Sequence, residues 1–331
     1  MRPFAFVEPT SLGEVIRQLA AGGGQACPIA GGSDLLGLLK DDVVAYDRLV
    51  SLAGLEDLRQ IREEGDGLRM GALVTLAQLE YDPRLQGPYR LLAEAARSVA
   101  MPEIRHQGTL GGNLCQRPRC FYYRHALTPC LKKGGVDCPA LESPYQAYLS
   151  IMGGHGCYSV HASDLAPPLL ALGAEVSIAG PSGVRTLPLE RFFAGPERDV
   201  RRENVLAADE VLTAVTVPAA PPAWRGTYLK ARERTAGDFP LVSVAVGYAL
   251  DAGRIGQARL VLGGIAPVPW RSPEAEALLE GQTPSPTLAA RAAAAALSGA
   301  QPLAHNAFKV EIGHAVVERA IMAVAATLRG Q

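Results

Sequence analysis

Five of the chain's six cysteines lie between Cys115 and Cys157, and only Cys27 stands outside that window. Cys120, Cys130, Cys138 and Cys157 follow the spacing C-x9-C-x7-C-x18-C. This is neither the paired spacing of zinc ribbons nor a ferredoxin run. Four thiolates suit a four-cysteine zinc site or a [4Fe–4S] cluster, and spacing alone leaves both open beside inert thiols. A disulfide framework belongs to small secreted domains, not to one window of a 331-residue chain. His106, His125, His155 and His161 are rival ligands by position, although a lone histidine is more often hydrogen-bonded structure. The setting is basic: Arg105, Arg117, Arg119, Arg124, Lys132 and Lys133 occur with no Asp or Glu between Glu103 and Asp137. Such a field would raise a cluster's potential, stabilise a thiolate zinc site, or bind phosphates.

Two glycine turns offer a second chemistry. They are Ile29-Ala-Gly-Gly-Ser-Asp-Leu35 and Gly108-Thr-Leu-Gly-Gly-Asn113. Paired glycines let a backbone approach a ligand closely, and their amides can cradle a pyrophosphate. Each turn reads equally well as a strand-to-helix connection with an N-cap. No G-x-G-x-x-G opens a βαβ unit and no Walker lysine motif occurs, which argues against a Rossmann site or a P-loop.

Local signals indicate how these residues are carried. Ser11 and Glu14 form a capping-box pattern for a helix to about Ala21, stopped by Gly22-Gly23-Gly24. Cys27 to Ala30 reads as a short strand. Thr75 and Gln78 open a second capped helix, and another covers Tyr89 to Ala100. Residues 115–158 have little periodicity, which in a compact protein marks a functional or disordered segment. After Pro218 and a PAAPPAW linker come two β-rich runs, Leu241–Tyr248 and Ala258–Leu262, turning near Asp251–Gly253. Phe308, Ile312, Val316, Ala320, Val324 and Leu328 recur every four residues as one helix face.

Composition narrows the function. There are 32 Lys+Arg against 33 Asp+Glu, so no basic excess supports nucleic-acid binding. No apolar run reaches a membrane span, the stretch Leu165–Ile178 being broken by Glu175. The start MRPFAFVEPTS meets Glu8 before a signal core forms, so no export signal is expected of it.

Taken together, the segments resemble the FAD-binding (medium) subunits of the molybdenum hydroxylases, among them xanthine dehydrogenase, the CO dehydrogenase flavoprotein and bacterial aldehyde oxidoreductases. The resemblance runs through FAFVEPTSLGEVIRQLA, AGGSDLLGLLK, LRMGALVTLAQLE and IRHQGTLGGNL, then SDLAPPLLALGAEV, DEVLTAVTVP, YLKARERTAGDFPLVSVAV and LGGIAPVPWR. The segment GGNLCQRPRCFYYR, with the later cysteines, is similar to a subgroup whose flavin subunit carries an inserted [4Fe–4S] loop. Periplasmic-type aldehyde oxidoreductase and 4-hydroxybenzoyl-CoA reductase are of that kind.

The resemblance implies an α+β fold: a two-lobed PCMH/VAO-type FAD-binding domain, then a C-terminal antiparallel sheet with helices of the CO dehydrogenase flavoprotein type. The expected boundaries are residues 1–218, with lobes of about 1–56 and 57–218 and an inserted iron–sulfur loop of about 115–158, followed by 224–331. It implies that Ala30, Gly31, Gly32, Ser33, Asp34 and Leu35 bind the FAD pyrophosphate, with Thr109, Gly111, Gly112 and Asn113 from the second turn. Ser163 and Asp164 match the segment that meets the ribityl or ribose, Leu212 an apolar residue packed near the isoalloxazine, and Lys230 a lysine near the ring. Arg234 and Asp238 occupy neighbouring motif positions. Cys120, Cys130, Cys138 and Cys157 fall where the cluster ligands would fall, and Cys27 and Cys115 read as buried structural thiols.

The implied function is an oxidoreductase subunit that carries FAD and a [4Fe–4S] cluster in a heterotrimer. Electrons would come from a molybdopterin-binding large subunit through [2Fe–2S] centres on a small subunit, reach FAD, and pass to an external acceptor. No residue of this chain is expected to be catalytic in itself, and neither nucleic acid nor membrane insertion is expected. The location would be cytoplasmic, or periplasmic by co-export with a partner bearing a Tat signal. Competing readings are a structural zinc site in the cysteine loop and a flavin reductase working alone.

Overall fold

The computed structural model describes residues 1–221, 223–234 and 237–330. Residue 222 of the proline linker, 235 and 236 of the YLKARERTAGDFPLVSVAV run, and 331 lie outside the described residues.

The chain begins with a small parallel sheet in the order β1 (Ala5–Val7), β3 (Arg48–Ser51), β2 (Ala26–Ile29). Helix α1 (Leu12–Ala21) covers it, with the Ser11 hydroxyl accepting from the Glu14 amide. Val15 and Leu19, four apart, are buried against the strands, and each such burial stabilises by about 1.5–3 kcal/mol. Helix α2 (Leu35–Lys40) leaves β2 through the first glycine turn.

A second sheet is antiparallel, in the order β4 (Ile61–Glu64), β5 (Gly67–Gly71), β8 (Val211–Val217), β6 (Glu175–Gly180), β7 (Gly183–Pro188). Against it pack α3 (Leu76–Tyr81), α4 (Arg90–Ser98) and α8 (Ala166–Ala171). Both arms of the Thr75/Gln78 capping box are formed at the start of α3. Short helices α5 (Pro102–Gln107) and α6 (Leu110–Leu114) flank the second glycine turn, and a one-turn helix α9 (Pro196–Asp199) lies between β7 and β8.

The third sheet is antiparallel, in the order β12 (Trp270–Arg271), β11 (Arg254–Gly263), β10 (Val242–Asp251), β9 (Arg225–Ala231). Ala252 and Gly253, at φ 47° and 78°, make the tight turn between β10 and β11. Helices α10 (Pro273–Leu279), α11 (Pro286–Ala296) and α12 (Phe308–Arg329) cover one face. The α12 face departs from the expected stripe. Val316, Ala320 and Val324 are buried, but so are Val317 and Ile321, while Phe308 is 43% exposed. A strict four-residue step turns about 40° further than one helical revolution each time, so a long stripe drifts off the core. Lys309 takes the buried position at the start of the helix.

The segment from Cys115 to Ser159 contains only one short helix, α7 (Phe121–Arg124), and two 3-10 turns. Its order comes from contacts with the rest of the chain.

Candidate functional site

The first glycine turn is open. Among the described residues, the amides of residues 31–35 have no protein acceptor. Gly32 sits at φ 70°, which favours glycine. Gly31 is pressed against the second turn, where an added Cβ would lie 1.7 Å from the Gln107 carbonyl oxygen. Asp34 precedes α2 but does not cap it. Its carboxylate instead accepts from the Arg117 amide at 2.8 Å and from Arg124 Nη2 at 2.6 Å, and pairs with Arg119 Nη2 at 3.1 Å.

The second turn is closed. The Leu110 and Gly111 amides donate to the Val74 and Ala72 carbonyls, and the Gly112 amide donates to its own cap, Thr109 Oγ1, at 3.1 Å. What this turn can offer a ligand is the bare Cα of Gly112, the Thr109 hydroxyl proton and the Asn113 side-chain amide. Gly111 packs on Ala72, with room for no Cβ closer than 2.9 Å.

Two clefts, of about 350 and 170 Å³, meet at these turns. Ser33, Asp34, Thr109, Gly112 and Gln116 line both, so the clefts form one trench with the glycine turns at its junction. The larger arm continues past Cys27, Tyr46 and Cys115 to Asn204 and Glu210. Cys27 and Cys115, expected as buried structural thiols, are partly buried and stand in the trench wall. Burial still pushes their thiols up, to about 11 and about 12. The smaller arm runs past Val99, Ile104, Arg119 and Asp164 to Asp238 and Phe239.

Asp164 stands on that smaller arm in a buried network. Lys230 Nζ donates to it at 2.8 Å and the Tyr228 hydroxyl at 2.5 Å. Burial, then the Asp164 charge, holds the Tyr228 hydroxyl well above its usual range. Lys230 also donates to the Ser98 carbonyl, so it positions Asp164 and does not reach into the trench. The Ser163 hydroxyl donates to Asn113 Oδ1 at 2.5 Å, joining this network to the second turn. Leu212 is 4% exposed, packed in the core beneath the second sheet, and lines neither cleft. Its place on a central strand, with neighbours on both sides, gives it a packing role. Asp238 accepts from Arg234 at the outer end.

The four cysteines, distant in sequence, line one small cavity together with Tyr123, Leu131 and Leu149. Burial pushes the Cys120 thiol up to about 11 and raises that of Cys138. Among the described residues no three Cys, His, Asp or Glu side chains converge closely enough to hold a single metal ion. The rival histidines stay apart from the cavity lining. His161 is buried edge-on to Phe193, and burial pushes its ring down to about 4.

The basic field of the insert is largely matched by acids from outside its window, which a local charge count overlooks. Arg105 pairs with Glu80 at 2.8 Å. Lys132 and Arg117 share Glu203 at 2.7 and 2.9 Å, while Arg119 and Arg124 share Asp34. A third anchor joins the insert to α12: Lys309 Nζ, fully buried, donates to the Leu149 and Gly264 carbonyls at 2.7 Å each. Gln116, Arg119, Glu203 and Phe239 are trench residues that sequence reasoning did not assign. The acid-free run beside GGN was the available signal for Arg119; nothing local marked the other three.

These residues fit FAD. Five open amides beside a glycine with no side chain suit a diphosphate, and the trench extends in both directions from that point. Comparison with known proteins agrees. Residues 2–220 match the family described as the FAD binding domain in molybdopterin dehydrogenase, and residues 227–324 match the CO dehydrogenase flavoprotein C-terminal domain. The chain is 34% identical over 308 residues to the aldehyde oxidoreductase FAD-binding subunit PaoB of Escherichia coli, covering 92% of this chain and 91% of that one. It is 28% identical to the carbon monoxide dehydrogenase medium chain of Hydrogenophaga pseudoflava, covering 90% and 88%. The fold superposes on a structure of carbon monoxide dehydrogenase from that organism, with a TM-score of 0.79, 27% identity and 98% and 99% coverage. Quinoline 2-oxidoreductase from Pseudomonas putida 86 gives a TM-score of 0.78 at 27% identity, covering 99% and 98%. With both of its domains matched and the FAD trench formed, the chain belongs to the FAD-binding subunits of the molybdenum hydroxylase family.

Proposed function

We propose that the chain is the electron-transfer flavoprotein subunit of a heteromeric aldehyde oxidoreductase or xanthine dehydrogenase-type complex, and that its cysteine insert carries a [4Fe–4S] cluster. Residues 1–218 would form the FAD-binding unit and 224–331 the C-terminal unit. The FAD diphosphate would lie at the trench junction, held by amides of the Ala30–Leu35 turn and by Thr109, Gly112 and Asn113, with Ser163 and Asp164 along the smaller arm. Lys230 would act by holding Asp164. When bound, FAD supplies two-electron storage between one-electron carriers on partner subunits and an external acceptor. The partners would be a molybdopterin-binding large subunit and a [2Fe–2S] small subunit. The names of the relatives, a subunit of aldehyde oxidoreductase and a medium chain of carbon monoxide dehydrogenase, support such an assembly.

The observation that carries the cluster is the common cavity of Cys120, Cys130, Cys138 and Cys157. Four thiolates on one zinc stand about 3.8 Å apart, given bonds of about 2.3 Å, and need donors that converge on a point. A four-iron cluster takes four cysteine thiolates, the number that lines this cavity. The cluster would also act as a staple, since the insert has almost no regular structure of its own. Among the described residues no helix is long and apolar enough to cross a membrane, and the compartment would follow from a signal on a partner.

The first test is an absorption spectrum of the purified chain, with iron and acid-labile sulfide assayed on the same sample. Flavin bands with about four irons per chain are expected. Flavin with zinc and no iron would replace the cluster by a structural metal. A colourless chain that takes up no FAD would overturn the reading. Reduction of a small substrate by the chain alone would favour an independent flavin reductase. For the staple, Cys138→Ser should lower the iron content and the stability together; normal assembly in that variant would remove the role.

A further inference from the structure

The junction of the trench carries an unusual charge arrangement. Asp34, on the first glycine turn, and Glu203, on the wall of the larger arm, are carboxylates at the place where a diphosphate dianion would bind. Left alone they would repel it. Each is instead shared by two cations: Arg119 and Arg124 on Asp34, Arg117 and Lys132 on Glu203. All four cations come from the cysteine insert. Within this group two carboxylates against four cations leave two positive charges over, and Arg202, which also lines the larger arm, stands outside the group. The other acids lining the trench are each matched by one cation: Asp164 by Lys230, Asp238 by Arg234 and Glu210 by Arg185.

Two of the four line the trench: Arg117 in the larger arm, with its Nε 2.9 Å from Glu203, and Arg119. Arg119 lines the smaller arm, its guanidinium lies over the Phe239 ring at 4.8 Å, and Nη2 bonds Gln116 Oε1 at 3.3 Å. Asp34 and Gln116, its two polar partners, both belong to the junction. Its Nε is buried and has no acceptor among the described residues. A buried guanidinium N–H without a partner is costly, and an anionic oxygen at the junction would supply one. We infer that the cysteine insert is a working part of the FAD site, and that Arg119 is the residue through which it binds the cofactor's diphosphate. This rests on FAD lying in the trench. It goes further in making the insert supply the charge that lets FAD stay there.

The test uses the full chain stripped of flavin, with binding followed by flavin fluorescence for FAD and for riboflavin, which lacks the phosphates. Stoichiometric FAD binding by the unaltered chain checks the underlying reading separately. Arg119→Gln should weaken FAD by about tenfold or more and riboflavin by less than about twofold, while Arg119→Lys, which keeps the charge but neither the Nε donor nor the stacking on Phe239, recovers only part of the loss. The affinity of the unaltered chain for FAD should also fall with added salt while that for riboflavin does not, a measurement that needs no variant. Unchanged FAD affinity in folded Arg119→Gln, an equal loss for both ligands, or salt-independent FAD binding would each overturn the inference. A lowered flavin potential at unchanged FAD affinity would also overturn it, by moving Arg119 to the ring.

Discussion

The two glycine turns look alike in sequence and are opposites in space. Both have paired glycines next to a hydroxyl residue and an Asp or Asn. In the second, Thr109 caps α6 and the amides of residues 110 and 111 are fixed to the carbonyls of Val74 and Ala72. In the first, the would-be cap Asp34 turns away to the insert, and the amides of residues 31–35 have no acceptor among the described residues. One turn is a hinge pin and the other a cradle. A glycine pair therefore becomes a ligand site only where neighbouring elements do not claim its amides.

The strongest way to break this pairing is Gly31→Ala. A methyl group 1.7 Å from the Gln107 carbonyl oxygen would force the two turns apart, because that oxygen is backbone and a Cβ has no rotamer by which to escape it. A stability loss of about 3 kcal/mol or more is expected, with loss of bound flavin. Thermal melting and the flavin-to-protein ratio would report both, and a flavin-replete variant would contradict the close packing.

Next in size is Asp34→Asn. It leaves Arg119 and Arg124 without their shared carboxylate on partly exposed side chains, and should cost about 1–3 kcal/mol. The loss should fall on the insert, seen as faster proteolysis near residues 117–124. Uniform destabilisation with an unchanged digestion pattern would show that Asp34 does not anchor the insert.

Thr109→Ala sharpens the contrast from the closed side. Removing a cap that accepts one amide should cost about 1 kcal/mol. Because the same hydroxyl faces the proposed diphosphate, FAD affinity should fall together with the stability, in paired melting and titration experiments.

The smallest effect concerns the wall thiols. Burial raises Cys27 to about 11 and Cys115 to about 12, so the fold holds their protons more tightly than the unfolded chain does. That contribution to stability is complete below about pH 8.5 and is lost as pH rises through about 11 for Cys27 and about 12 for Cys115. Cys27→Ala with Cys115→Ala should flatten the alkaline fall in melting temperature. Both thiols should also resist alkylation at pH 8 in the native chain.

Much of the architecture is legible in the chain itself. The caps at Ser11 and Thr75, the turn before Arg254 and the two β-rich runs are local events, decided by residues within a few positions of one another. The glycine turns and the four cysteines announced that a cofactor and a metal were worth considering. The face of α12 was legible only in its middle, because a strict four-residue stripe does not follow a 3.6-residue helix to its ends.

What tertiary structure alone decided was partnership. Asp34 meets residues 83 to 90 positions away, Glu203 meets Lys132, Lys230 meets Asp164, and Lys309 reaches the end of the insert. No local pattern encodes these pairs, because they arise when distant elements close on one another and each buried charge must find an opposite charge or a hydrogen-bond partner. Residue type and spacing thus determined which chemistry this chain can hold. The folded arrangement decided which glycine turn is open to it, and which cations stand beside it.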